Sequence, residues 1–356
     1  MKTNNFINIC LLGCGRISGK HIEAINSLEN SGVKLISVCD IVPEKLKSFS
    51  PTDDVYTSTN ICDPKLLSGV DLVVIASESG LHYGHAKFFL QNNIDVLIEK
   101  PATLKLTDAR ELLDLAGSIG RKIYVVKQNR FNSAVQFARA AVDSGKLGKL
   151  NIGTVRVRWC RTQKYYDQAN WRGTWKMDGG VITNQAIHHI DLLQYFLGPV
   201  RKVRAFDATY GANIEAEDSL VSILEFGSGA IATVEATTAV RPRNIEGSLS
   251  LIGSKGAIEI GGFAANEIVL YESSLHDELV TKNVVLDQNT DDVYGSGHLQ
   301  VYKEILNERT GNPSNAVDLQ EALKSLEIVH MMYKSIEINS DVEYVDLGDG
   351  SIRLGF

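Results

Sequence analysis

Gly13-Cys14-Gly15-Arg16-Ile17-Ser18 follows an apolar run at residues 6–12 and precedes a stretch with helical spacing that reaches Leu28. In a strand–turn–helix setting the first glycine permits a tight turn. The second lets backbone N–H groups approach a pyrophosphate, whose charge sits well at a helix N-terminus. Ser18 is small enough for the close helix–strand packing that the third position of such a motif requires. Asp40 closes the next apolar run, residues 33–39. A carboxylate there accepts hydrogen bonds from an adenosine ribose and repels the extra phosphate of NADP, and no arginine follows it directly. The expected cofactor is NAD, with Gly13, Gly15, Arg16, Ile17 and Asp40 among its contacts. A glycine turn without a ligand is the alternative. Glu99-Lys100-Pro101 directly follows the apolar run 95–98, at the carboxyl end of a parallel strand, where open α/β sheets bind ligands. A lysine there can hydrogen-bond a reacting oxygen; a surface-loop lysine is the alternative.

These residues need a scaffold, and the chain's first 128 residues read as one. Apolar runs at 6–12, 33–39, 71–77, 95–98 and 122–126 alternate with helical stretches at 83–91 and 108–117, Thr107 being a candidate N-cap. Continuous apolar strands between helices imply a doubly wound parallel sheet covered on both faces. The rhythm then changes. A helix at 135–144 is followed by runs with period-2 alternation at 153–160, 203–209, 219–226, 230–238, 248–253 and 257–261. In the first of these, Val155, Val157 and Trp159 share one face, and Thr154, Arg156, Arg158 and Cys160 the other. This second region, 129–356, reads as an α+β domain with an open-faced, mainly antiparallel sheet and a long helix at 319–338. The fold class is α/β, with domains at 1–128 and 129–356.

Composition narrows the function. A chain of 356 residues supports two domains, and a net charge of −7 argues against nucleic acid or an anionic membrane as the main partner. The five cysteines are odd in number and without a C-x-x-C pair, which fits free thiols in a reducing compartment. No apolar stretch is long enough to span a membrane, and the N-terminus lacks the pattern of a signal peptide. A cytoplasmic location is expected. No metal site is apparent, for there is no H-x-x-x-H pattern or carboxylate cluster.

With the glycine motif and Glu99-Lys100-Pro101 in place, the chain resembles the glucose–fructose oxidoreductase/inositol dehydrogenase (Gfo/Idh/MocA) family over nearly its whole length. Those proteins pair a Rossmann domain with an open-faced sheet domain, and the proline of their E-K-P motif is usually cis. Their second motif, a glycine pair followed by D-x-x-x-H, corresponds here to Gly179-Gly180 followed by Asn184 and His188, with Gln185 between. The resemblance implies that His188 is the catalytic histidine. Asn184 stands where many members have aspartate; an amide is no base but can orient a hydroxyl. Four residues apart, Asn184 and His188 share a face if one helix carries both, and His189, about 100° around, reads as structural. The resemblance also implies that Ser77, His82 and Gln128 line the nicotinamide side, a helix-start residue with no ligand being the alternative for His82, and that Glu99 orients Lys100 or the ribose.

Residues 126–132, Tyr165-Tyr166-Asp167-Gln168, Trp171-Arg172-Gly173-Thr174-Trp175 and 244–247 are similar to one branch, the UDP-N-acetylglucosaminuronate 3-dehydrogenases of surface-polysaccharide synthesis. The substrate so implied is a UDP-sugar oxidised at C3. Its diphosphate and carboxylate need cations, and Arg130, Arg156, Arg158, Arg161, Lys164, Arg172 and Lys176 cluster around these motifs. Arg130 and Arg172 are the preferred contacts, and Tyr165 or Tyr166 can touch the sugar. Trp171 and Trp175 read as packing residues. Arg156 and Arg158 can instead face another subunit, since family members assemble through the open sheet face; a homotetramer or a dimer is expected. A histidine base needs no pKa shift to work near neutrality, so His188 is assigned as base and Lys100 as stabiliser of the oxygen, with the reverse assignment open. A 2-oxo acid can serve to regenerate NAD. Another sugar or cyclitol as substrate, and a non-catalytic NAD-binding regulator, stay open as alternatives.

Overall fold

Strands buried on both faces must be apolar throughout, and the first sheet obeys this rule. The computed structural model describes residues 7–49, 55–274, 281–285 and 297–356. Its first sheet contains β1 (Ile7–Leu12), β2 (Val33–Cys39), β3 (Tyr56–Ser58), β4 (Leu72–Ile75), β5 (Asp95–Ile98) and β6 (Ile123–Val125). The spatial order is β3-β2-β1-β4-β5-β6, and every neighbouring pair is parallel. Every residue of β4 and β5 is buried. The order reverses between β1 and β4, so their carboxyl ends flank the switch point of a doubly wound sheet. Phe6, included in the first expected strand, lies outside the described residues.

The connecting helices follow the expected pattern with one correction. Helix Leu106–Ile119 begins before Thr107, so Thr107 is a helical residue and not an N-cap. It also runs through Gly117; the left-handed residue that follows its end is Gly120, at φ 66°.

The second sheet contains β7 (Leu150–Arg158), β8 (Val200–Ala208), β9 (Ser219–Phe226), β10 (Ile231–Thr237), β11 (Glu246–Gly253), β12 (Gly256–Gly261), β13 (Glu267–Ser273), β14 (Thr281–Val285) and β15 (Val342–Glu343). Its order is β14-β13-β12-β11-β7-β10-β9-β8-β15. The β7–β10 pair is parallel and the other described pairs are antiparallel. Period-2 alternation sorts the faces. Val155, Val157, Leu220, Leu224, Val234, Leu249 and Leu251 are buried, and helix Ile187–Leu197 packs on β7 and β11. On the opposite face Arg156 pairs with Glu246 at 2.9 Å and Glu259 at 3.2 Å, while Arg158 pairs with Glu235 at 2.6 Å and Glu246 at 3.0 Å. Half-exposed pairs of this kind stabilise by at most about 1 kcal/mol each. They commit both arginines to glutamates on the same sheet face.

The chain divides into two compact units. The first comprises Met1–Thr103, Thr107–Val126 and His298–Glu321; the second comprises Leu104–Leu106, Lys127–Gly297 and Ala322–Phe356. Helix Gly297–Arg309, absent from the sequence expectation, thus belongs almost wholly to the first unit. Among the described residues no helix is long and apolar enough to cross a membrane.

Gly153 lets the helix that carries His188 approach β7. A Cβ there would stand 2.7 Å from Leu193 Cδ1 and 2.8 Å from Leu197 Cδ1, both on buried residues. Gly153→Val should therefore overpack this layer and cost about 1–3 kcal/mol, read as a lowered midpoint in urea unfolding. An unchanged midpoint would show that the helix can move aside freely.

Candidate active site

The first unit builds an anion cradle. Gly13 takes φ 96°, and a Cβ on it would lie 2.6 Å from the Ala76 carbonyl oxygen, so the turn after β1 closes against the end of β4 as only glycine allows. A Cβ on Gly15 would meet nothing within 4 Å. Gly15 and Arg16 are exposed and Ile17 is half-buried. Helix Ser18–Ser27 starts with no side-chain cap and no acidic residue in its first turn, so the positive end of its dipole meets no carboxylate in that turn and suits an external anion. Ser18 is buried and its hydroxyl donates to the Gly15 carbonyl at 2.7 Å. Asp40 fixes this turn: Oδ2 accepts from the Cys14 N–H at 2.7 Å, Oδ1 from the Val42 N–H at 2.9 Å, and Lys45 Nζ lies 3.3 Å away. Burial and the neighbouring Asp40 carboxylate push the Cys14 thiol up to about 12, so it carries no charge into the cradle.

At the carboxyl end of β5, Lys100 is half-buried and its peptide bond to Pro101 is cis. Glu99 is buried; its Oε2 accepts from the Lys100 N–H at 3.1 Å and its Oε1 lies 3.1 Å from His21 Nε2. Burial alone would raise its pKa, but His21 and His298 outweigh that and hold the carboxyl well below the usual range. These contacts set Glu99 against the Lys100 backbone, the first of its two expected roles. His82 takes the helix-start reading. It is buried at the start of helix His82–Gln91, with Nδ1 2.8 Å from the Pro101 carbonyl and Nε2 3.0 Å from that of Ser77. Both nitrogens thus face backbone carbonyls of the same unit. The half-buried Ser77 hydroxyl sits 2.9 Å from His85 Nδ1.

The second unit gathers the other residues. The segment Asp178–His188 is not one helix: Val181–Asn184 ends, Gln185 and Ala186 intervene, and Ile187–Leu197 begins. The shared helical face expected for Asn184 and His188 therefore does not exist. Asn184 Nδ2 donates to the buried Asp178 carboxylate, which also accepts the Gly173 N–H at 2.8 Å. His188 is half-buried, and its Nε2 lies 3.3 Å from Gln128 Nε2. With the amide as donor, Nε2 is the acceptor, the position a general base requires. Gln128 is 2% exposed and faces His188. His189 is buried edge-on against Trp159, and burial pushes it down to about 4, so it is structural as read.

Arg130 is not a ligand contact either. It is 5% exposed and its guanidinium grips Asp191 through Nε at 2.7 Å and Nη2 at 2.9 Å, with Lys127 Nζ 3.1 Å from the same carboxylate. Burial opposes the Asp191 charge, but Arg130 and Lys127 outweigh it and hold the carboxyl far below its ordinary range. Tyr166 is also structural, buried with its hydroxyl 3.0 Å from that of Thr238.

Tyr165 is different. Its hydroxyl accepts from Arg172 Nη1 at 2.7 Å and from Gln185 Nε2 at 3.1 Å. The guanidinium of Arg172 lies 4.6 Å and that of Arg161 5.3 Å from the centre of its ring. Arg161 Nη2 donates to Gln185 Oε1 at 3.1 Å, and Gln185 Nε2 also donates to Asn184 Oδ1 at 2.9 Å. A polar chain thus runs from Asp178 through Asn184 and Gln185 to two arginines on one phenol. Among the described residues no carboxylate lies within ion-pair distance of either arginine.

Two groupings escaped sequence reasoning. The first unit brings together His21, Glu99 and His298, although no metal-ligand spacing links them in sequence. In the second, Glu217 is buried beneath the Gly179-Gly180 turn; its Oε1 accepts from the Tyr333 hydroxyl at 2.9 Å and the Ile182 N–H at 3.3 Å. A Cβ on Gly180 would lie 1.7 Å from Glu217 Oε2, so the glycine pair itself was the available signal.

Comparison with known proteins agrees with this architecture. Residues 7–127 match the NAD-binding Rossmann-fold model of an oxidoreductase family, and residues 135–259 match the GFO/IDH/MocA C-terminal domain. The WlbA dehydrogenase from Bordetella pertussis, solved with NADH and UDP-GlcNAcA, is 33% identical, with 95% of this chain and 98% of that chain covered at TM-score 0.84. The chain belongs to the GFO/IDH/MocA oxidoreductase family. Its first unit is an NAD-binding Rossmann domain. The WlbA dehydrogenase from Chromobacterium violaceum, also in complex with NADH and UDP-GlcNAcA, is 34% identical over 96% of both chains at TM-score 0.86. The D-glucoside 3-dehydrogenase of Escherichia coli K12 is 25% identical, covering 96% of this chain and 98% of its own length.

Two outcomes test this geometry. Gly13→Ala should lose about 2–4 kcal/mol through backbone strain and the Ala76 clash, whereas Gly15→Ala should unfold like the wild type yet bind NAD more weakly in calorimetry. Equal stability of the two variants would contradict the account of the turn. For Glu217, burial raises the pKa from 4.5 to about 8 against the pull of Tyr333 and the Ile182 N–H. The fold favours its protonated form, so the penalty is absent below the ordinary pKa and grows by about 1.4 kcal/mol per pH unit until the folded pKa is passed. Glu217→Gln, which cannot ionise, should melt with the wild type at low pH and above it at alkaline pH; parallel melting curves throughout would refute the buried neutral acid.

Proposed function

We propose that the protein is an NAD-dependent dehydrogenase of a sugar nucleotide, UDP-N-acetylglucosaminuronate or a close relative, acting on the C3 hydroxyl. The observation that carries this reading is the pair Arg161 and Arg172, held on Tyr165 with no carboxylate partner among the described residues. Guanidiniums kept apart from protein carboxylates are prepared for an anionic ligand. The two WlbA dehydrogenases, solved with UDP-GlcNAcA, support the same class. Relative to the sequence expectation, the anion-binding role passes from Arg130 to Arg161, alongside Arg172.

When bound, NAD supplies the hydride acceptor for C3. His188 accepts the hydroxyl proton at Nε2, where Gln128 now donates, so the substrate hydroxyl replaces that amide. Lys100 stabilises the oxygen as negative charge develops, its backbone held by Glu99. Asn184, anchored by Asp178, orients a neighbouring sugar hydroxyl, and Tyr165 and Gln185 complete the sugar's surroundings. The open sheet face exposes Phe206, Val221, Ile223 and Ile231, and we assign it to self-association of this chain.

The test is to mix protein, NAD and UDP-N-acetylglucosaminuronate, with and without 2-oxoglutarate, following NADH absorbance and the sugar nucleotide by mass spectrometry. Loss of two hydrogens from the sugar is expected, and dependence on 2-oxoglutarate would show in-place cofactor recycling. Arg172→Ala should raise KM by roughly 10–100-fold with a smaller change in kcat, the loss of one charge-assisted contact. Oxidation of uncharged sugars or cyclitols alone, with Arg172→Ala silent, would overturn the sugar-nucleotide assignment.

A further inference from the structure

The first unit contains a buried cluster of which the dehydrogenase reading uses only the Glu99 contact to the Lys100 backbone. His21 on helix Ser18–Ser27, Glu99 after β5 and His298 on helix Gly297–Arg309 point their polar atoms at one another. His21 Nε2 is 3.1 Å and His298 Nε2 is 3.7 Å from the same oxygen, Glu99 Oε1, and all three atoms lie within 4.8 Å of one another. His298 is 3% exposed, yet neither of its ring nitrogens has a hydrogen-bond partner among the described residues. A buried imidazole left so costs about 1–3 kcal/mol, which makes an unsatisfied cluster an expensive way to hold Glu99.

We propose that His21, Glu99 and His298 form a three-ligand site for a divalent transition metal, zinc in the first instance. Two imidazoles and one carboxylate are a zinc donor set, with bonds near 2.0–2.2 Å. In a tetrahedral site such bonds place ligand atoms about 3.4 Å apart, and the two separations to Glu99 Oε1 bracket that figure. The outer contacts fit as well. His21 Nδ1 is 2.7 Å from the Tyr302 hydroxyl, the kind of second contact that fixes the tautomer of a metal-bound histidine. Metal entry replaces the His21–Glu99 hydrogen bond: the imidazole proton moves from Nε2 to Nδ1, where Tyr302 accepts it, and no net charge is created on the ring. Glu99 Oε2 continues to accept the Lys100 N–H, so the ion is a positioning element behind Lys100 and takes no part in hydride transfer. A small solvent ligand completes the fourth position.

The experiment needs no substrate. Full-length protein is dialysed against a chelator, then titrated with Zn2+ or Co2+, following bound metal by mass spectrometry, the visible cobalt spectrum and the melting temperature. About one ion per chain is expected, with a tetrahedral cobalt spectrum and a rise in melting temperature. Tyr302→Phe should weaken binding roughly 10–100-fold, and His298→Gln by at least as much. Cobalt binding that survives in His298→Gln would place the metal elsewhere and overturn the proposal. Should that variant not fold, the wild type alone decides, for a chelator-treated protein with no cobalt spectrum and no thermal shift leaves only a hydrogen-bonded cluster. Neither result bears on whether a sugar nucleotide is oxidised.

Discussion

The second unit depends on one desolvated charge. Asp191 lies inside helix Ile187–Leu197, buried among apolar side chains, and its carboxylate is matched by Arg130 and Lys127 from the segment after β6. A carboxylate in such a place is tolerable only with cations in direct contact, and removing one partner of a buried pair costs about 3–5 kcal/mol. Lys127 is further held by the Ser325 hydroxyl at 2.6 Å, and Arg130 by the ring of Tyr195 at 4.7 Å. The charge therefore ties the short helix Gln128–Phe131 to the helix that begins with Ile187. Gln128 and His188 occupy those same two elements. Their contact follows from the ion cluster; it is not an independent feature.

Seen from this constraint, the two arginine populations of the unit separate cleanly. Arg130, Arg156 and Arg158 have carboxylates within reach and serve the fold. Arg161 and Arg172 have a phenol, an amide and backbone oxygens instead. A guanidinium stacked on an aromatic ring keeps its charge while its donor edge stays available. An acidic protein needs this arrangement to hold an anion, since its average field is repulsive and only local placement can reverse the sign.

What could be read from the sequence follows from the range of each interaction. The glycine turn, Asp40 and the parallel strands are local or nearly so, and β1, β2, β4 and β5 stand where the apolar runs are. Val155 and Val157 fell on the buried face because strict alternation leaves little choice. Strand β13 was not legible: its residues are mostly half-buried at the sheet's flank, so alternation is blurred. Helix Gly297–Arg309 did carry a signal, with His298, Val301, Tyr302 and Ile305 buried at helical spacing. Arg130 was misread because nothing in the sequence says which of seven nearby cations meets Asp191. Asn184 and His188 were misread because a four-residue spacing implies a shared face only if the helix is unbroken, and here it breaks at Gln185.

That break has a physical origin beneath it. Gly180 brings the backbone over Glu217, and Gly179, at φ 75°, packs against Thr183 and Leu354, so closely that a side chain at either position would clash. Glu217, with Tyr333 and Thr183, then holds the first turn of the Val181–Asn184 helix from below through 2.9 Å contacts. The next helix takes its direction from Asp191 and from the apolar contacts of Leu193 and Leu197 over Gly153. Two short helices anchored by two different buried acidic side chains, Glu217 neutral and Asp191 charged, have no reason to be collinear. Gln185 falls at the joint, where its amide is free of helical neighbours and links Asn184, Tyr165 and Arg161. The polar chain assigned to the sugar nucleotide therefore exists because the helix is interrupted; a continuous helix over residues 181–197 would align Asn184 with His188 and leave Gln185 no joint from which to reach Tyr165 and Arg161.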